Sequence, residues 1–364
     1  MAPPLLTKSS ARTRRLRIRM LKKLVTVICV VTCCMAADGV GVRKKEKTTR
    51  TGEEITSNVL TVLWRDPVDL ASRNLYYGRG GEEHQPHGPF TFIDEDLDGS
   101  NVKFNVRDRD GVKWKVKLGA EAKPETAATR LVWAVGYFAN EDYFLPTLHV
   151  ENMPRHLKRK HADRFIGEGG TMPNARLKRE AKDEKKVGNW RWKDDPFSST
   201  RELNGLRVMM ALINNWDLKD SNNGVYDEKL PRQRQERIYM VSDLGGTFGT
   251  AWLQKGHEKT RGNLASYWHT RFITKVHDDL VDFEDPRHPA LIVLVNPHEF
   301  FSRMGLRWIG RNIPIEDVQW IDGYLAKLSH EQIRDAFRAA GFSNQEVEGF
   351  ASVVESRIAD LGTL

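Results

Sequence analysis

The sequence predicts an α+β fold in two lobes, a small β-rich N-lobe followed by a mainly helical C-lobe. Alternation of period two dominates from Phe90 to Leu118, whereas helical periodicity dominates from about Asn263 to the end. Strands first and helices afterwards is the order of an α+β chain. A length of 364 residues, 40% of them hydrophobic, suffices for one large domain or two ordinary ones.

Residues 1–37 carry a targeting pattern. Lys8, Arg12, Arg14, Arg15, Arg17, Arg19, Lys22 and Lys23 precede the first acid, Asp38, and equal the whole formal excess of +8. The rest of the chain is therefore near neutral, which excludes nucleic acid as a partner on charge grounds. "LVTVICVVTCCMAA" follows, too short for a comfortable membrane span and ending in small residues. This reads as a signal peptide cut near Ala36 or Ala37, with Met1 or Met20 as the start, or else as an uncleaved N-terminal anchor. Either way the protein is exported, periplasmic or extracellular, and meets a membrane only through that leader or through a lipid on Cys33. Cys29, Cys33 and Cys34 all lie here, so cleavage leaves no disulfide framework and no thiol chemistry.

Residues 38–58 read as a polar linker, and 59–151 as the N-lobe. Within it "FTFID", "VKFNVRD" and "GVKWKVKLG" are strands, with Asp110-Gly111 as the hairpin turn between the last two. Trp114, Val116 and Leu118 share one face of the third strand; Lys113, Lys115 and Lys117 share the other. "KPETAATRLVWAVGYF" is a helix with Pro124 at its first position and Gly136 at its end, and "DYFLPTLHV" returns to strand. Residues 152–196, rich in charge and glycine, read as a charged insertion or linker whose two tryptophans in "NWRWKDDPF" dock back on the fold. The C-lobe, 197–364, opens with a capped helix, "SSTRELNGLRVMMALINNWD". A short strand in "RIYMVSDLGGTFG" stops at Asp243, and "ASYWHTRFITKVHDDLVDF" and the segments after it read as helical.

Four features then fall in one order: Lys117 closing a strand, Glu125 in the next helix, Asp217 with Asn222 after a later helix, and Asp243 before Gly245. Phosphoryl transfer asks a protein mainly to place charge. A lysine holds phosphates when a helical carboxylate directs it, the role open to Glu125 beside Lys117, with Glu121 as its competitor. Mg²⁺ or Mn²⁺ needs hard oxygen ligands, which Asn222 and Asp243 supply. Asp217 is placed to take the proton of an acceptor hydroxyl, and Lys219 to steady the transferred phosphate. Gly99, Ser100 and Asn101, between the first two strands, could offer backbone N–H groups to a nucleotide.

These residues resemble the protein kinase-like superfamily. "WDLKDSN" is similar to the catalytic loop H-R-D-x-K-x-x-N at Asp217, Leu218, Lys219 and Asn222; "VSDLGG" is similar to D-F-G with Leu244 in place of Phe; "KWKVK" is similar to V-A-I-K. The resemblance spans residues 88–250 and implies a two-lobed protein kinase-like fold with ATP and Mg or Mn in the cleft. Asn215 and Trp216 replace the His-Arg pair, and neither G-x-G-x-x-G nor A-P-E is present. The style is that of atypical members, HipA-like, phosphatidylinositol-kinase-like or secretory-kinase-like, acting on a hydroxyl of a protein, lipid or small molecule.

Other readings compete for the same residues. A catalytically inactive kinase-like binding or scaffold protein of the cell envelope fits an exported chain in a compartment poor in ATP. Lys113, Lys115 and Lys117 together also fit an exposed basic stripe. "DEDLDGSN" opens like a calcium loop at Asp94, Asp96 and Asp98, yet its twelfth position is Asn105 within a strand.

Overall fold

A short strand, β1 (Leu60–Val62), precedes the alternating segment, which forms β2 (Phe90–Asp96), β3 (Lys103–Arg107) and β4 (Lys113–Leu118). The computed structural model describes residues 59–99, 101–230, 235–249, 261–284, 301 and 304–364. β2, β3 and β4 pair antiparallel as a meander through the expected turn at Asp110-Gly111. Helix α1 (Ala122–Ala134) follows, and then β5 (Asp142–Glu151). Pro124 stands third in α1 rather than first, still within the opening turn where a missing N–H loses no helical bond.

Residues 152–196 do not behave as an insertion. They contain β6 (Thr171–Arg179) and β7 (Glu184–Gly188), and β6 lies between β4 and β5 to complete a closed barrel in the order β2-β3-β4-β6-β5. Met172, Ala175 and Leu177 point into that barrel with Phe104, Trp114, Val116 and Leu118, so its interior is apolar. The charged residues of β6 concealed this inward set, and Pro173 with the left-handed Asn174 interrupts its alternation. The tryptophans dock as expected: Trp190 and Trp192 are buried, and Trp190 Nε1 donates to Met240 O at 3.0 Å.

Helix α2 (Arg201–Leu212) is capped by Thr200, whose hydroxyl accepts from Leu203 N at 3.2 Å. β8 (Asn223–Lys229) and β9 (Gln235–Val241) follow, and make a four-stranded sheet in the order β1-β9-β8-β7. Asp243 therefore sits two residues beyond the strand expected to end with it. The segment 264–283 departs from the helical reading: only α3 (Leu264–Trp268) is helical, and β10 (Ile273–His277) and β11 (Leu280–Phe283) form a hairpin. Asp278, at φ 49°, takes the left-handed turn that a continuing helix could not hold. β12 (Ile313–Pro314) joins that hairpin, and α4 (Ile315–Leu325), α5 (His330–Arg338) and α6 (Asn344–Leu361) end the chain.

The α+β class and the order of a strand-rich half before a helical half are as expected. One apolar core runs through the second half, with Phe248, Phe337 and Phe350 in mutual edge and stacked contact, and it includes Leu131 and Val132 of α1. Helix α1 thus turns one face to the helical half and carries its carboxylates toward β4. Among the described residues no helix is long and apolar enough to cross a membrane.

Candidate functional site

β4 presents Lys117 on the face opposite Trp114, Val116 and Leu118, where α1 covers it. Only 3% of its side chain is exposed, whereas Lys115 and Lys113 reach outward to Asp96 and Glu180. The basic-stripe reading therefore fails at Lys117. Its ammonium lies 2.8 Å from Glu125 Oε2, 3.1 Å from Glu121 Oε2 and 3.2 Å from Asp243 Oδ1. Spacing of four residues puts Glu121 and Glu125 one above the other at the start of α1, so both competing carboxylates reach the lysine.

Two further groups come from the segment read as an insertion and from the stretch just before the one read as helical. On β6, Arg176 stands directly opposite Lys117 and donates from Nη2 to Glu125 Oε1 at 3.0 Å and from Nη1 to Asp142 Oδ1 at 3.3 Å. Arg261 pairs with Glu121 and lies over the Trp216 ring, 5.3 Å from its centroid. Sequence reading missed Arg176, Asp142 and Arg261. The available signal was the reach of Arg176 on a strand whose neighbours Ala175 and Leu177 are apolar.

Burial alone would lower the Lys117 pKa, but Glu125 and Asp243 outweigh it and hold the ammonium above its ordinary value. Burial pushes Asp243 upward; the Lys117 charge, the Gly245 N–H and Arg176 prevail and bring it down to about 2. Arg176 is likewise held above its ordinary value by Asp142 and Glu125, against burial. Asp142 moves the other way for a buried partner: desolvation raises it to about 6 against the pull of Arg176, and Glu125 adds to the rise. The upward direction agrees with its surroundings, since Asp142 is fully buried and its Oδ2 has no hydrogen-bond partner among the described residues.

The loop after α2 approaches from the other half. Left-handed Asn214 turns the chain, Asn215 Oδ1 accepts from Asp217 N at 3.0 Å, and Trp216 N donates to Gly246 O at 3.0 Å. Asp217 Oδ1 lies 3.6 Å from Lys219 Nζ. The Asn222 amide donates to Asp217 O at 2.6 Å, and Asn222 O accepts from the N–H groups of Ser242 at 2.8 Å and Asp243 at 3.1 Å. Asp217, Asn222 and Asp243 are thereby held in one stitched pair of loops. Gly245 is required where it is: an added Cβ would stand 2.7 Å from Glu121 Oε2.

These atoms suit a divalent cation at Asn222 and Asp243. Among the described residues Asp243 accepts at Oδ1, from Lys117 and from Gly245 N at 3.1 Å, and the side chain is 40% exposed, which leaves Oδ2 accessible. Donation through Nδ2 leaves Asn222 Oδ1 as the remaining donor atom. Glu121, Glu125 and Asp243 also gather their oxygens within 4.8 Å, but the Lys117 ammonium contacts all three.

The expected phosphate turn is only partly joined to this centre. Asn101 Nδ2 donates to Glu121 Oε2, while Gly99 O accepts from Arg159 Nη1 at 2.8 Å; Ser100 lies outside the described residues, as do 1–58 with the leader and linker. The calcium-like turn has its acids engaged otherwise: Asp94 takes Asn105, and Asp96 takes Lys115 at 3.0 Å and the Asp98 N–H at 2.8 Å.

No family model and no curated protein matches the chain. Similar solved structures include the Helicobacter pylori proinflammatory kinase CtkA, 11% identical over 75% of this chain and 96% of that one, with a TM-score of 0.40. The Golgi casein kinase is similar over 76% of this chain and 75% of its own, at 12% identity and a TM-score of 0.28. The Golgi casein kinase with Mn/ADP bound gives the same coverage and TM-score at 11% identity. These are kinases by name, and likenesses this distant say nothing of chemistry, which rests on the contacts above.

Proposed function

We propose that the chain is an atypical kinase-like phosphotransferase that moves the γ-phosphate of ATP to a hydroxyl acceptor with Mg²⁺ or Mn²⁺. The observation that carries it is the buried Lys117 ammonium, 2.8 Å from Glu125 on α1 and 3.2 Å from Asp243 across the two halves. An ammonium so directed, with its charge secured by carboxylates, binds phosphate oxygens without first having to be ordered. A divalent ion at Asp243 and Asn222 would neutralise phosphate charge and draw the nucleotide against the loop. Asp217, fixed through its own N–H and through Asn222, accepts the acceptor's proton, and Lys219 lies beside it to meet the phosphate. The leader-like N-terminus supports action outside the cytoplasm, on a protein, lipid or small-molecule hydroxyl.

The test is thermal unfolding of the purified protein with and without ATP and Mn²⁺, followed by turnover measurements on Asp217→Asn. The midpoint rises with both ligands present, and Asp217→Asn keeps that rise while losing about 10²- to 10⁴-fold in phosphoryl transfer, counting hydrolysis as transfer to water. No rise in the wild-type protein with either metal overturns the proposal.

A further inference from the structure

We infer that Arg176 is a positioning residue, which fixes Glu125 in the orientation that directs Lys117 and so locks α1 against β4; its functional meaning rests on the phosphotransferase reading. The barrel register sets Arg176 directly across from Lys117, so both side chains leave the sheet on the same face, toward α1. Glu125 is then gripped at both oxygens, Oε1 by Arg176 at 3.0 Å and Oε2 by Lys117 at 2.8 Å. A carboxylate held by cations from two adjacent strands cannot rotate without breaking one of them.

The other arm of Arg176 explains why the residue is arginine. Nη1 reaches Asp142 at the start of β5 while Nη2 holds Glu125, a span that a planar guanidinium makes and a single ammonium does not. Three consecutive elements of the barrel, β4, β6 and β5, therefore place Glu125 through one cation. Glu121 is secured differently, by Asn101 of the β2–β3 turn and by Arg261 from beyond the glycine segment. The two carboxylates of α1 thus answer to different parts of the molecule. The cations that grip Glu125 both come from barrel strands, while α1 itself is also held by the helical half, where Thr247 Oγ1 donates to Pro124 O at 3.3 Å.

Binding of a fluorescent N-methylanthraniloyl-ADP with Mn²⁺ tests the role, in wild-type protein, Arg176→Gln, Arg176→Lys, Glu125→Gln and the Arg176→Gln/Glu125→Gln double variant. Arg176→Gln that retains the native near-UV circular dichroism weakens binding about tenfold, the size of one lost charge-assisted hydrogen bond. Arg176→Lys recovers part of that loss. The double variant is no weaker than Glu125→Gln alone, because Arg176 acts through Glu125; a residue that merely fills space gives additive losses. Affinity within twofold of wild type in folded Arg176→Gln, or additive losses, overturns the role and leaves the phosphotransferase reading standing. If Arg176→Gln lacks a native spectrum, Arg176→Lys decides: several-fold weaker binding supports the role, and binding within twofold of wild type overturns it. A wild-type protein that binds no nucleotide sinks both.

Discussion

Two buried arginines, Arg176 in the barrel half and Arg357 in the helical half, are equally hidden and differently satisfied. Each is 3% exposed. Arg357, on α6, gives its guanidinium to the carbonyls of Leu212 at 2.9 Å, Ala211 at 3.2 Å and Tyr267 and Thr270 at 3.4 Å, and to Thr270 Oγ1 at 2.7 Å. The Tyr267 and Phe272 rings flank it at 4.1 and 5.2 Å, and no carboxylate is among these partners. Arg176 faces two carboxylates, one of them shared with Lys117. A cation spent on carbonyls ties chain ends together. One spent on a carboxylate that another cation also holds passes its orientation on, which is what a site requires.

The contrast predicts separable effects. Arg357→Met removes the five hydrogen bonds of a buried guanidinium, although Leu212 O keeps the Tyr267 hydroxyl and Ala211 O keeps the Asn214 N–H, and costs on the order of 4 kcal/mol in denaturant unfolding, while nucleotide affinity of the folded fraction stays unchanged. A matching fall in affinity would break the division between the two arginines. Next in size is Asp243→Ala: the ligand-induced stabilisation, about 2.7 kcal/mol at 100 times Kd of ATP with Mn²⁺, disappears, whereas the unliganded protein keeps its native fold. Persistence of the full ligand shift would remove Asp243 from the metal role.

The same contrast marks what was legible beforehand. Lys117, Glu125, Asp217, Asn222 and Asp243 could be read because each sits at a characteristic place in a strand, helix or loop, and short-range pattern fixes such places. The meander through Asp110-Gly111 was legible for the same reason. Arg176 and Asp142 were not, since their bonds join residues 51 and 34 positions apart and exist only once the barrel closes. β6 itself was hidden because a strand with a charged outer face and Pro173 looks like a solvated linker. The β10–β11 hairpin was missed because its few apolar residues also satisfy a helical spacing; the turn at Asp278 decides the matter.

Asp142 sharpens the comparison through pH. Its native pKa, raised to about 6, exceeds the ordinary unfolded value near 3.9, so between these values the native state binds the extra proton. The favourable contribution is therefore complete below about pH 4 and is lost as pH rises through about 6. Asp142→Asn does not titrate. The stability of Asp142→Asn minus that of wild type should rise by on the order of 2 kcal/mol from pH 4 to pH 7.5, read from urea midpoints across that range. A flat difference would mean that Arg176 wins the competition and keeps the buried carboxylate ionised throughout.

The smallest effect concerns α6, the helix that carries Arg357. Ser343 caps it: its N–H donates to Glu346 Oε2 at 2.8 Å and its hydroxyl accepts from Glu346 N at 3.4 Å. Ser343→Ala removes the second of these and costs about 1 kcal/mol of unfolding free energy. Among the described residues the Ser343 side chain bonds to Glu346 and not to Lys117, Glu125, Asp217 or Asp243, so the loss should be equal with and without ATP and Mn²⁺. Equal loss places the cap with Arg357, in the part of the molecule that holds the fold without setting the site. A loss that changes with ligand would mean that α6 is coupled to the nucleotide through the shared core around Phe248 and Phe350, which lies just beyond the glycines that follow Asp243.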